Sequence, residues 1–170
     1  MPKVKINSGS LRFAIIGGLI IIVIAAALLL SGDKTKAPTL SKNTVNTACG
    51  PYRNDGSVVI NGQKIAVEIA KNSEEFDKGL AGRPCITANQ GMFFAFNRSG
   101  QYPFWMKGMK FPIDIIWITS AHRVAAIEIN ESPNTYPDKF VNKIPAQYVL
   151  ELKADRSTEL HMSIGTPVTF

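Results

Sequence analysis

Eighteen consecutive residues, Phe13 to Leu30, carry neither a charge nor a strongly polar side chain: FAIIGGLIIIVIAAALLL. As a helix rising about 1.5 Å per residue, this run reaches roughly 27 Å, close to the thickness of one hydrocarbon core. A helix satisfies its own backbone hydrogen bonds, so the run can cross a bilayer alone. A helix buried in a soluble core would show a polar face, and this one has none. Residues 13–30 therefore read as a transmembrane helix in contact with membrane lipid. A cleavable signal has a shorter apolar stretch that ends in small residues. Ala25-Ala26-Ala27 could form such an end, but Leu28-Leu29-Leu30 prolongs the run. No cysteine follows within a few residues, which argues against a lipoprotein signal. The favoured reading is an uncleaved signal anchor.

Charge follows the same division. The net charge of +6 comes from 19 lysines and arginines against 13 acidic residues. Residues 1–42 hold six basic residues and only Asp33, a net of +5. Residues 43–170 hold thirteen basic residues against twelve acidic ones, a net of +1. A nucleic-acid-binding domain would carry its own positive excess, so that class loses its support and no nucleic-acid partner is expected. Three basic residues lie on each side of the run: Lys3, Lys5 and Arg12 before it, Lys34, Lys36 and Lys42 after it. The count alone does not orient it. The short tail (residues 1–12) also carries the α-amino charge, and the order basic, apolar, polar favours a cytoplasmic N-terminus. The expected location is the cell membrane, single-pass, with the C-terminal domain extracytoplasmic.

Residues 31–56 are rich in Ser, Thr, Asn, Lys, Gly and Pro without periodicity, and read as a tether that becomes ordered near Cys49. Cys49 and Cys85 are the two cysteines of the chain. Outside the cytoplasm two cysteines in a small domain are more often bridged than free. A pair of unrelated thiols and a redox pair are the other readings. The redox reading lacks a CxxC spacing.

The remainder, 57–170, reads as short strands. Val58-Val59-Ile60, then Asn61-Gly62, then Gln63 to Ala70 predict a hairpin, because Asn-Gly suits a type I′ turn. Asn72 or Ser73 can cap a short helix with Glu74 and Glu75 in its first turn, and Gly82 can end it. Further strands are expected at Met92–Phe96, Phe104–Met106, Ile113–Ile118, Arg123–Ile129, Tyr148–Leu152 and Pro167–Phe170. Asn130 to Ala146 reads as a long loop, and Ser157 to Met162 as a helical turn. The expected fold is mainly β: a compact antiparallel sandwich or barrel with one or two short helices.

Specific blocks accompany this pattern. Gly79-Leu80 with Arg83, Gln90-Gly91-Met92-Phe93-Phe94, Phe104-Trp105-Met106-Lys107, Pro112-Ile113-Asp114-Ile115-Ile116 and Tyr148-Val149-Leu150-Glu151-Leu152 occur in that order, followed by Gly165. Over residues 57–170 the chain resembles the family called domain of unknown function 192. The resemblance implies a jelly-roll-like sandwich, no established activity, and frequent N-terminal signals or anchors. The family usually has Asn-Thr after the FWMK block, where this chain has Gly108-Met109, and glycine where this chain has Asp155. Cys85 also departs from the family pattern.

Three residues are candidates for chemistry. Asp114 opens an apolar strand and Glu151 lies inside another; an isolated buried charge is very costly, so each needs a partner. Arg83 and Lys107 are the cations in view. Arg83, Asp114 and Glu151 together could make an acid–base pair or an anchored anion site; a structural ion-pair network is the stronger alternative. Glu68 should point outward by strand alternation. Tyr102, Trp105, Met106 and Lys107 could line a groove for a sugar, a peptide or peptidoglycan, against the alternative of ordinary packing. Only Met106 and Met109 have a ligand-like spacing and there is no His pair, so no metal or cofactor is expected. GxSxG, HExxH, P-loop and GxGxxG patterns are missing. The expected role is a cell-envelope binding or accessory module acting on an envelope ligand or protein. An envelope enzyme and a structural scaffold are the rivals. Protease added to intact cells should remove the C-terminal domain; full protection would contradict the topology.

Overall fold

The computed structural model describes residues 47–170. The basic tail, the apolar run and most of the tether lie outside the described residues. Among the described residues no helix is long and apolar enough to cross a membrane.

The hairpin forms as its turn chemistry demands. Strand β1 (Gly56–Ile60) returns through Asn61 and Gly62, at φ 48° and 80°, into β2 (Gln63–Ile69). Helix α1 (Ser73–Lys78) starts at Asn72, whose side chain accepts from the Glu75 N–H at 3.0 Å. It stops at Gly79 rather than at Gly82, three residues earlier than expected. Strand β3 (Gln90–Gly100) is twice the length expected from its apolar stretch and runs parallel to β2. The connection through α1 supplies the crossover that a parallel pair needs. The sheet is therefore mixed rather than wholly antiparallel.

The chain continues through β4 (Pro103–Phe104), β5 (Ile113–Ile118) and β6 (Val124–Glu131). Trp105 and Met106 fall outside strand structure. The expected long loop contains a 3-10 turn at Pro133–Thr135 and strand β7 (Phe140–Val141), which pairs with β4. Strand β8 (Ala146–Lys153), helix α2 (Arg156–Glu159) and β9 (Val168–Thr169) complete the fold.

Seven strands form one sheet in the order β6-β5-β8-β3-β2-β1-β9. It curls into a half-barrel. Its edge strands meet at one corner, where Val124 N–H donates to the Thr166 carbonyl at 3.0 Å and Val168 N–H to the His122 carbonyl at 2.9 Å. His122 stacks there on Phe170 with ring centroids 4.2 Å apart. Of the expected sandwich or barrel, the fold is the barrel-like form: β4 and β7 make a separate two-stranded sheet, and the other seven strands make one curled sheet.

Both faces of this sheet are covered. On the concave face Val58 and Ile60 of β1 share a cluster with Ile116 and Ile118 of β5, four strands away in the sheet order. On the convex face Phe94, Ile115, Trp117 and Val149 pack under Leu80, Ile86 and Met106. All six residues of β5 are buried as a result. This explains why IDIIWI lacks the apolar–polar alternation of a half-exposed strand.

The N-terminal approach is tied to the same sheet. Cys49 and Cys85 are bridged, their Cα atoms 4.8 Å apart across a sequence separation of 36. Asp55 accepts the Ile69 N–H at 3.0 Å, and Arg53 spans Asp55 and Glu75. Packing thus begins at Cys49, ahead of the expected domain start at 57. In the chain-entropy view such a bridge adds about 3–4 kcal/mol.

Asp114 is fully buried, and its hydrogen bonds all go to backbone N–H groups distant in sequence. It accepts from the Asn130 N–H (2.8 Å), the Asp155 N–H (2.9 Å) and the Ser157 N–H (2.7 Å). One carboxylate thereby fixes the end of β6 and the β8–α2 turn, both of which contain a residue at positive φ, Asn130 and Asp155. Asp114→Asn presents an amide to backbone donors and should destabilise the protein by about 2–4 kcal/mol. Urea unfolding measures this; unchanged stability would show that these three bonds are dispensable.

Candidate functional site

Between α1 and the segment 102–109 lies a pocket of about 240 Å³, and Glu151 of β8 lines it. Glu151 is only 4% exposed. Its Oε2 has no hydrogen-bond partner. Burial pushes its carboxyl up to about 8, opposed more weakly by the Leu80 backbone N–H. At neutral pH the group is therefore mostly a neutral acid.

Gly79 brings the backbone down onto this carboxyl. It has φ +51°, and a Cβ there would lie 3.1 Å from Glu151 Oε2. The early stop of α1 and the close approach to Glu151 thus have one cause, a residue without a side chain.

Aromatic rings form the walls. Phe76 of α1 meets Phe96 of β3 with centroids 5.2 Å apart, and Tyr102 stacks on Phe96 at 3.5 Å. Phe104 packs edge-on against Phe94 and Trp117. Buried Asn142 holds this wall. Its Oδ1 accepts the Tyr102 N–H at 3.0 Å and its amide donates to the Gly100 carbonyl at 3.2 Å and to the Ile144 carbonyl. Trp117 Nε1 donates to the Tyr102 carbonyl at 2.9 Å. At the mouth stand the exposed Lys78 and Lys107 with Asp77, and the half-buried Trp105, whose ring lies 5.2 Å below Lys139 Nζ.

The expected acid–base cluster does not assemble. Asp114 lies opposite Leu152 in the sheet register and Glu151 opposite Ile115, so the two carboxylates face opposite sides of the sheet. Arg83 pairs instead with Glu68 and donates to the Pro51 carbonyl at 3.0 Å. Glu68 does point away from the concave core, but it is buried, because the chain around Arg53 and Arg83 covers that side. Of the ligand candidates, Tyr102, Trp105 and Lys107 line the pocket with Glu151. Met106 is 1% exposed in the convex core and does not. Phe76, Lys78 and Asn142 were not singled out as site residues, since each belongs to a segment that folds onto the pocket from a distance in sequence. Among the described residues no group of three or more His, Cys, Asp or Glu is placed to hold a metal ion.

A family profile, domain of unknown function 192, described as "Uncharacterized ACR", matches residues 56–170. The chain belongs to this family. No curated protein matches it. Two solved structures are similar. One is described as a putative transcription regulator from Sinorhizobium meliloti 1021, at 26% identity and TM-score 0.62, covering 66% of this chain and 89% of that one. The other is a protein of unknown function from Novosphingobium aromaticivorans DSM 12444, at 28% identity and TM-score 0.63, covering 67% and 84%.

Two of the three departures noted in the sequence, Gly108 and Asp155, have a common explanation. Gly108 and Asp155 sit at φ +69° and +65°. Gly, Asn and Asp are the residues that enter this left-handed region most readily, so each exchange preserves the backbone. Gly108 serves through its carbonyl, which accepts the Gly82 N–H at 3.0 Å.

Because Glu151 binds a proton more tightly when folded than when unfolded, the native state holds more protons between about pH 4.5 and 8. Stability should be greatest below that window and fall as pH rises through 8, by up to about 1.4 kcal/mol per unit. Glu75, held near 2 by Arg53, acts below the window. Denaturant unfolding of wild type and Glu151→Gln from pH 5 to 9 should show this slope in wild type and a flatter profile in the variant. Parallel profiles would contradict the assignment.

Proposed function

We propose that this protein is a membrane-anchored, extracytoplasmic domain that binds a small envelope ligand in the Glu151 pocket, as a binding or accessory module of the cell envelope. The observation that carries the reading is the unpartnered Oε2 of Glu151, buried at the base of an aromatic pocket. Leaving a buried polar atom unpaired costs about 1–3 kcal/mol. The other buried carboxylates of the sheet are paired, Glu68 with Arg83 and Asp114 with three backbone N–H groups. An exception of this kind in a pocket is what a site awaiting a ligand looks like.

Anchoring rests on residues 13–30 and orientation on the basic tail before them. A pure scaffold has no use for the open carboxyl. Catalysis by the Arg83, Asp114 and Glu151 trio has no support from their dispersed positions. The name of the Sinorhizobium protein suggests transcriptional regulation for that protein; the net charge of +1 over residues 43–170 gives a nucleic-acid role little support here.

Thermal-shift screening of the full-length protein in detergent, with amino sugars, short peptides and amino acids, tests the binding reading. At least one class should raise the melting temperature of wild type, and Glu151→Gln or Trp105→Ala should weaken that response several-fold. A response untouched by both substitutions, or none from any class, would contradict it.

A further inference from the structure

The pocket sorts charge by depth. At its base is the buried carboxyl of Glu151 with Oε2 unpartnered. Exposed Lys78 and Lys107 stand on its outer wall, with Asp77 the acidic residue beside them. Phe76, Phe96 and Phe104 line the pocket with them. A hydroxyl could satisfy the carboxyl as a neutral acid. An ammonium does more, since it makes a charge-assisted bond to the carboxylate and is attracted by the surrounding rings. The lysines at the mouth repel a simple cation, so a cationic ligand needs an anionic group behind its head.

Resting on the binding reading above, we propose that the pocket takes a small zwitterion: a primary ammonium against Glu151, an apolar body along the rings, and an anionic group at Lys78 and Lys107. The chemistry has a proton balance. The free site holds Glu151 as a carboxylic acid near neutral pH, as its shift to about 8 implies. The ligand arrives as an ammonium and pairs with a carboxylate. The carboxyl proton therefore leaves to solvent, close to one per ligand below pH 8 and none well above it. Affinity should rise about tenfold per unit between pH 5.5 and 7.5 and then level off. The charged groups lining the pocket besides Glu151 are Asp77, Lys78 and Lys107, none of which is buried.

Calorimetric titration of the full-length protein in detergent tests this with 6-aminohexanoate and 3-aminopropyl phosphate, against hexanoate and hexylamine. At least one of the two zwitterions should bind tenfold or more tightly than both controls; which one binds tells carboxylate from phosphate, and either supports the proposal. Proton release, read from buffers of different protonation enthalpy, should approach one at pH 6.5. Glu151→Gln should lower affinity at least tenfold at pH 7.5, and Lys107→Gln several-fold. The pH series on wild type stands even if Glu151→Gln folds poorly. Hexanoate binding as tightly as the zwitterions, or affinity independent of pH, would overturn the proposal. If N-acetylglucosamine binds in a Glu151-dependent way while neither zwitterion does, the binding function survives and the zwitterion falls. If none of these binds, both fall.

Discussion

A single curled sheet whose faces are both buried must dispose of every polar group its strands carry. Three acidic side chains sit on central strands of this one, and each meets that constraint differently. Glu68 takes a guanidinium, Arg83, brought in by the chain beyond α1. Asp114 takes three backbone N–H groups and in doing so sets the geometry of two distant turns. Glu151 takes no cation and only the Leu80 backbone N–H, its Oε2 is left unpartnered, and burial favours the protonated carboxyl. Desolvation is common to all three. The difference lies in what the covering segments bring to them.

That difference connects fold to function. The cover over Glu151 is made of rings and of Gly79, which offer it no cation and, at Oε2, no donor. The same cover leaves an opening, because α1 ends early and the segment 102–109 is held back by Asn142 and Trp117. An uncompensated group and an entrance to it therefore arise from one arrangement. The disulfide at Cys49 joins the tether to the neighbouring part of that cover, through Cys85.

Much of the fold is legible in the sequence. The Asn61-Gly62 turn, the Asn72 cap and the strands around Ile113–Ile118 and Tyr148–Leu152 follow from local chemistry. The parallel β2–β3 pairing does not, because nothing local distinguishes it from a longer hairpin. The strand expected at Phe104–Met106 is only partly present: Pro103–Phe104 pairs with β7, while Trp105 and Met106 cover the convex face as irregular chain. Of the pocket lining, the sequence points to Tyr102, Trp105 and Lys107 as a groove, and to Glu151 separately, in a cluster with Arg83 and Asp114. Arg83 and Asp114 were grouped with Glu151 because buried acids seek partners. Which partner each finds depends on strand parity across β5 and β8 and on chain segments far away in sequence.

The central claim is that Glu151 is a neutral acid at the base of an open pocket. Its side-chain carboxyl carbon, followed by NMR in protein labelled with carbon-13 at glutamate, reports its ionisation directly. The account predicts one glutamate carboxyl resonance, absent in Glu151→Gln, that titrates near pH 8. Titration of that resonance near pH 4, in the ordinary carboxylate range, would contradict it.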